Sequence, residues 1–456
     1  MAMLSALTGP AASVWNTVTS QTWDSLVSLC KNGTIAQLQN IRLGRLFLYD
    51  GSSSKASSVF GVNLPKAPEA ALHIYSETFW VRLALYADMG FAESYMLGEV
   101  SSPDLTKFFE LFILNRSHLS NGSTLTSAIS TGLAGLVRGS NNLRNARLNI
   151  MAHYDISNDM FASFLSPDMT YSCPIWLPTF DRRCAEETLE GAQMRKLDRF
   201  IDNTHVKATD HVLEIGTGWG SLAMRAVQRT GCRVTSVTLS VEQKELAEQR
   251  IKEAGLSDRI TVLLCDYRKL EPPTDGPFDK IISIEMLEAV GKEYLEEYFR
   301  CIHRLLKQDG GIACFQCITM PEARYDAYAK SDDFIRRYIF PGGHLPTVTQ
   351  LVNSITNGSS GSLIVDGVEN IGPHYAKALR IWRQNFLENW TTTIKPQLLG
   401  EKKSQGMDSE SAEVFKRKWD YYFRYSEAGF MTKTLGDVII TVGREGAIQM
   451  MEQVPL

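Results

Sequence analysis

Two acids three residues apart, a glycine-rich turn and a Tyr-Ser-Cys triplet are the parts of this chain whose residue types and spacing suit chemistry. The turn lies in HVLEIGTGWGSLAMRAVQRTGCRVTSVTLSVEQ, which begins at His211. Gly216, Gly218 and Gly220 stand where a buried strand must turn sharply and let its backbone approach a ligand. Such a turn fits NAD, FAD or S-adenosylmethionine. The second strand ends Thr238-Leu239-Ser240, without the Asp or Glu that usually holds an NAD ribose there. That absence tilts the reading away from a dinucleotide.

The acids are Glu285 and Glu288 in SIEMLEAVG. They follow a strand at the C-terminal edge of the expected sheet, where open α/β sheets bind ligands. As helix-start residues favoured by the dipole they would need no ligand. Ser240-Val-Glu-Gln243 has the spacing of a capping box, and beside the glycine turn Gln243 is equally placed to bond ribose hydroxyls. Cys173, in Tyr171-Ser172-Cys173, reads as a small buried hydrophobe before it reads as a nucleophile. His153, Tyr154, Asp155 and Asn158 precede it, and a histidine beside aromatics is more often a hydrogen-bonded structural residue than a catalyst. Cys314 and Cys317 form a C-x-x-C within one strand. Successive strand residues face opposite ways, so neither a redox pair nor a metal site is expected.

These groups need a scaffold that brings strand ends together. From Leu148 onward strands and helices alternate, the mark of a doubly wound α/β sheet. The expected strands are His211–Ile215, Arg233–Leu239, Ile260–Cys265, Lys280–Ile284 and Ile312–Ile318, with a further pair at Ser362–Val365 and Asp437–Val442. The first forty residues read as helix anchored by Trp15, Trp23, Leu26, Leu29 and Leu38, and short strand-like pieces follow (RLFLYD, ALHIYS). The Ser-, Gly- and Asn-rich stretch after Ser117 reads as a linker. The expected organisation is an accessory domain over 1–116, a linker over 117–145 and the α/β domain over 146–456, with an aromatic insertion near 321–346. That insertion suits a lid or an apolar wall, or simply a packed surface loop.

The chain has 456 residues, enough for two domains, and a formal net charge of −4 that exerts no global pull toward nucleic acid. No apolar run approaches the roughly 20 residues that span a bilayer, and the first residues lack the basic and apolar regions of a secretory signal. Eight scattered cysteines are expected to be reduced thiols of an intracellular compartment.

Taken together, NIMAHYDISNDMFASFLSPDMTYSCPIW, GAQMRKL, VLEIGTGWGSLA, VTLSVEQ, SIEMLEAVG, YIFPGGHLP, GPHYAKALRIW and YSEAGF, in this order from Asn149 to Phe430, resemble the cyclopropane-fatty-acyl-phospholipid synthase family. GFAESYMLGE and PDLTKFFELFILN look like that family's N-terminal domain, and the phrasing around EMLEAVG and LLCDYRKL looks like its eukaryotic, plant and fungal branch. The resemblance implies a Rossmann-like class I methyltransferase fold and S-adenosylmethionine as cofactor. It places Tyr171, Ser172, Gly216 and Gly218 against that cofactor, with Thr238, Leu239 and Gln243 on its ribose and methionine parts. It also implies a bound bicarbonate held by Cys173, Glu288, Ile318 (through its backbone) and Tyr375. Gln316 falls where bacterial members place a His in the same cradle, and Thr217 replaces the Cys of the usual G-C-G turn. A neutral amide donates or accepts a hydrogen bond but does not titrate as imidazole does.

The implied reaction adds a methylene to the cis double bond of an unsaturated phospholipid acyl chain at a membrane surface, with bicarbonate deprotonating the added methyl. Glu288 and Tyr375 would orient that anion. Phe161, Phe164, Trp176 and Tyr338–Leu345 are candidates for the apolar slot, and Arg42, Arg45, Arg336 and Arg337 for headgroup contacts. A cytoplasmic, peripherally membrane-associated enzyme and a homodimer are expected, with no nucleic-acid partner. The alternatives are a methyltransferase that leaves a methyl branch or uses another acceptor, and a catalytically silent binding protein.

Overall fold

The computed structural model describes residues 10–51, 54–119, 157–400, 407–452 and 455, with side chains from residue 23 onward. Most of the expected linker, together with His153, Tyr154 and Asp155, lies outside the described residues. The chain divides into two compact units, Met1–His153 with Met407–Tyr425, and Tyr154–Gly406 with Ser426–Leu456. The α/β unit is thus interrupted, where the sequence reading had one stretch over 146–456.

The first unit starts with a helix, Pro10–Leu38. Val27, Cys30 and Leu38 are its buried anchors, whereas Trp23 (37% exposed) and Leu29 (56%), expected to be inward, face out. Four strands follow: β1 (Gly44–Asp50), β2 (Ser58–Val62), β3 (Glu69–Ile74) and β4 (Val100–Ser101), in the order β2-β1-β3-β4. β1 runs parallel to β3 and antiparallel to β2. Phe91, Phe108, Phe109, Tyr421 and Tyr425 form one aromatic cluster with ring centroids 4.7–6.3 Å apart. Arg45 pairs with Glu69 in an exposed ion pair.

The second unit is built on a seven-stranded sheet: β5 (His211–Ile215), β6 (Arg233–Thr238), β7 (Ile260–Leu264), β8 (Lys280–Ile284), β9 (Ile312–Thr319), β10 (Ile364–Asn370) and β11 (Gly436–Gly443). The order is β10-β11-β9-β8-β5-β6-β7. Five strands are parallel, and β11 and β10 close one side antiparallel. Strands covered on both faces read as near-continuous apolar runs, and HVLEI, KIISI and IACFQCIT do so. Leu213, Ile215, Ile281, Phe315, Val438 and Ile440 are nearly inaccessible to solvent. From β5 the chain winds outward through β6 and β7, then returns to lay β8 on β5's other side. The ends of β5 and β8 are therefore the switch point at which such sheets bind ligands.

Six of the seven expected strands fall within one or two residues of the observed ones. The seventh, expected at Ser362–Val365, runs from Ile364 to Asn370. Ser359 captures the backbone before it, with its carbonyl accepting from Ser362 N and its hydroxyl from Leu363 N. As an edge strand with a bulge between Val365 and Gly367, β10 is mostly solvent-facing and carries little alternation to read. Cys314 and Cys317 are buried on β9, and all eight cysteines are free thiols.

Behind the sheet, helix Val348–Gly358 lies on helix Leu295–Leu305. A Cβ added at Gly358 would sit 2.5 Å from Glu296 O and 2.7 Å from Phe299 Cβ. Gly358→Ala should therefore destabilise the protein by about 1–3 kcal/mol, read as a lower denaturation midpoint with unchanged slope. A variant as stable as the parent would mean the two helices separate at no cost.

Candidate active site at the switch point

Most of the functional side chains are placed by strand ends, and the rest by a loop over 171–173 and two helices. After β5 the backbone turns through Gly216 (φ +98°), Gly218 (φ +51°) and Gly220 (φ +85°), a region that favours residues without a Cβ. Gly216 N and Thr217 N donate to Val237 O at the end of β6. A Cβ at Gly218 would meet nothing within 4 Å, so the turn borders open space. Thr217, in the place of the usual Cys, accepts from Ser236 Oγ at 2.7 Å. Ser236 is also bonded to Glu214. One hydroxyl proton does not serve two acceptors, so a protonated Glu214 donating to Ser236 completes the chain. Burial accordingly pushes Glu214 up to about 8.

At the end of β6, Ser240 caps helix Val241–Glu253 by accepting from Gln243 N. The reciprocal half of the capping box is absent: Gln243 Oε1 accepts from Thr238 Oγ1 at 2.8 Å, and Thr238 Oγ1 accepts from Ser240 N. The Leu239 side chain is 73% exposed beside them. Backbone left open at Gly218, an exposed apolar side chain and a tethered Gln–Thr pair along one sheet edge suit an adenosine-bearing ligand such as S-adenosylmethionine.

The expected residues Cys173, Glu288, Gln316, Ile318 and Tyr375 do come together, and Glu285 is at their centre. Glu285 Oε1 accepts from Cys173 N and from Gln316 Nε2, each at 2.7 Å, and its Oε2 accepts from Tyr375 OH at 2.9 Å. Ile318 N donates to Glu288 Oε1 at 2.5 Å. All four donors assigned to the bicarbonate are thus already held by the chain's own carboxylates. The buried side-chain atoms left unpartnered here, Glu288 Oε2, Gln316 Oε1 and Asp437 Oδ1, are all oxygens. The N–H and phenol donors are all taken by Glu285 and Glu288, and a further anion would have to sit against the Glu285 carboxylate. Bicarbonate does not fit this site.

Two participants escaped the sequence reading. Asp437, fully buried at the start of β11, accepts from Gln316 Nε2 at 2.9 Å. Lys196, from GAQMRKL and also fully buried, donates to Ser172 Oγ at 2.6 Å. Burial pushes Glu288 up to about 8, helped by the charge of Glu285, and pushes Asp437 well above the usual carboxyl range for the same two reasons. Burial raises Glu285 too, and the Cys173 amide, Asp437, Lys196 and Tyr375 offset only part of that rise. With three donors aimed at it, Glu285 is the acid of the group best suited to carry the charge, opposite Lys196. Burial lowers Lys196, and the acids around it oppose that. The Cys173 thiol lies near Pro174 O and Ile371 O, and burial pushes it well above its ordinary value. It is no nucleophile.

Glu285 also has φ +47°, a backbone state that costs a non-glycine residue about 1–3 kcal/mol and that persists where the surroundings fix it. Met286 beside it lies 3.5 Å from where a Gly216 Cβ would be, so the acids adjoin the glycine turn. Tyr171 is ringed by Phe161, Phe164, Trp382 and Phe340, with centroids at 5.1, 6.0, 5.1 and 6.4 Å. Trp176 instead bonds His374 and lies under Lys377. The insertion is pinned at its base by Met320 N donating to Pro346 O and by His344 N donating to Glu288 O. Arg336 is engaged by Asp333 and by backbone carbonyls of Tyr328 and Ser331.

The fold is that of class I S-adenosylmethionine-dependent methyltransferases. Solved structures that resemble it include the cyclopropane synthase MmaA2 of Mycobacterium tuberculosis (26% identity, TM-score 0.54, covering 65% of this chain and 98% of that one). A mycolic acid cyclopropane synthase complexed with SAH and CTAB is similar at 27% identity and TM-score 0.53, covering 65% of this chain and 98% of that one. Coclaurine N-methyltransferase shares the fold at 19% identity and TM-score 0.56, over 78% of this chain and 99% of that one. The family model for mycolic acid cyclopropane synthetase matches residues 141–439, and this chain belongs to that family. Among curated relatives, the tuberculostearic acid methyltransferase of Mycobacterium tuberculosis is 39% identical over 88% of both chains. The cyclopropane-fatty-acyl-phospholipid synthase of Escherichia coli is 30% identical over 86% of this chain and 92% of its own. The protein is an S-adenosylmethionine-dependent methyltransferase of this lipid-modifying family.

An acid whose folded pKa lies above its unfolded value binds its proton more tightly in the native state. Glu214's contribution to stability is therefore whole below about 4.5 and is lost as pH rises through about 8. The always-neutral Glu214→Gln should escape that loss, so the stability of the parent relative to the variant should fall across this window. Parallel unfolding free energies would show Glu214 to be ionised throughout.

Proposed function

We propose that this protein adds a methylene from S-adenosylmethionine to the cis double bond of an unsaturated phospholipid acyl chain, closing a cyclopropane ring. The observation that carries the reading is the buried carboxyl group of acids set beside the glycine turn (Met286 on Gly216), with an aromatic wall around Tyr171. When bound, S-adenosylmethionine supplies an electrophilic methyl. An isolated alkene is a weak nucleophile, so Phe161, Phe164, Tyr171 and Trp382 contribute by holding it in place and keeping water out. The acids contribute a proton acceptor for the cation that methyl transfer leaves on the chain.

The acyl chain is reached by docking on a membrane surface: no helix among the described residues is long and apolar enough to cross one. The E. coli relative's name supports a phospholipid acceptor. A second reading, a methyl-branched product, is favoured by the tuberculostearic acid methyltransferase relative and by Gln316 standing where the resemblance puts His. The two readings differ in the fate of the cation: ring closure uses the C–H pair of the added methyl directly, whereas a methyl branch needs a hydride shift, loss of a methyl proton to give an exocyclic methylene, and a separate reductant to saturate it.

Purified protein given S-adenosylmethionine with a trideuterated methyl and vesicles of unsaturated phospholipid should yield fatty acids that retain two deuterons and resist alkene hydrogenation. Two deuterons in a chain that does take up hydrogen would replace the ring with an exocyclic methylene. No labelled lipid would overturn the reading.

A further inference from the structure

We propose that Glu285 is the base of this reaction and that the chain supplies its own anion in place of bicarbonate. The inference rests on the reading above and deepens it. Three features of Glu285 point the same way. Its carboxylate gathers Cys173 N, Gln316 Nε2 and Tyr375 OH, three of the four donors that the family resemblance gives to the anion. Its backbone is held at φ +47°, a costly conformation of the kind that clusters at active sites. It follows β8 at the switch point, next to the residue that packs on the glycine turn. Fully buried Asp437 and Lys196 are positioning residues. Lys196 balances the charge, and Asp437 shares the Gln316 amide that fixes Glu285.

The step balances without a further reactant. The alkene π pair forms the bond to the incoming methyl carbon as the C–S pair leaves with sulfur, and the other alkene carbon becomes cationic. A C–H bond of the added methyl then breaks. Its proton passes to Glu285 Oε2, which also accepts from Tyr375 OH, and its electron pair closes the ring. Water takes the proton when the site reopens. A protein carboxylate risks being alkylated by the cation. Here two donors on Oε1 and one on Oε2 engage most of its roughly four lone-pair sites and lower its nucleophilicity.

The test uses the full chain, as the parent, Glu285→Gly and Glu285→Gln, with ¹³C-bicarbonate as probe. Glycine is at ease at φ +47°, so Glu285→Gly keeps the backbone and vacates the cradle. The parent should show no saturable ¹³C-bicarbonate signal by NMR, and Glu285→Gly should gain one. In the lipid assay the parent should turn over equally, within about twofold, in carbonate-free and bicarbonate-supplemented buffer. Glu285→Gln should lose about 10²–10⁴-fold in kcat with little change in KM, and bicarbonate should restore part of the activity of Glu285→Gly alone. Bicarbonate that binds the parent, or a parent that stalls in carbonate-free buffer and recovers on adding it, would overturn the proposal. If no protein labels lipid, the functional reading fails, and the NMR comparison still decides which anion fills the cradle.

Discussion

The desolvation of several carboxyl groups in one place is the constraint around which the rest of this site is arranged. Burying an unpaired carboxylate is far costlier than burying a carboxylic acid. Glu285, Glu288 and Asp437 therefore settle into one ionised member and two protonated ones. Which one ionises is decided by donors. Glu285 has two N–H groups and a phenol directed at it, Glu288 has one backbone N–H, and Asp437 has one N–H of an amide it shares. Lys196 supplies the compensating charge from the facing helix, with its Nζ tied to Ser172.

The scaffold makes that arrangement possible through connectivity. Because β8 returns to the far side of β5, the glycine turn and the acids leave the sheet at adjacent strand ends. β9 and β11 then bring Gln316, Ile318 and Asp437 alongside, in a register that pairs Asp437 with Ile318 and Ile439 with Gln316. Most polar groups of the cluster are thus carried on a strand, at a strand end or on a helix, and the loop residues Ser172 and Cys173 are held by Lys196 and Glu285. Tyr375 completes it from the start of its helix, its ring stacked on Phe430 at 4.5 Å. Rigid placement matters because a cationic intermediate discriminates poorly among nearby bases.

Much of this was legible in the residues. The parallel strands announce themselves as apolar runs between glycine turns, and the cradle residues were named through family motifs before any coordinate. What escaped had no local signal. Asp437 opens an otherwise apolar strand and Lys196 sits among helical charges, and only the fold brings them into contact. Glu285 was visible as one of two acids, but the resemblance directed attention to Glu288. Its φ of +47° and its three donors are properties of the folded chain. The β10 boundary was misplaced because an exposed edge strand lacks the alternation by which strands are recognised. Trp23 and Leu29 misled as anchors because large apolar residues are common on surfaces too.

Gln316 now has a physical reason beyond tolerance. Its single amide nitrogen donates to Glu285 and to Asp437 together, which needs two protons on one atom. A neutral imidazole carries one N–H in all and so would leave one of the two acids without its donor. An imidazolium carries two, on opposite sides of the ring, and it would add a second buried cation beside Lys196. Where the anion is a mobile one, a titrating histidine is suited to receive it. Where the anion is a side chain fixed between a neighbour's amide and a tyrosine, a neutral double donor serves better. In this chain the neutral double donor Gln316 and the fixed carboxylate of Glu285 suit each other electrostatically.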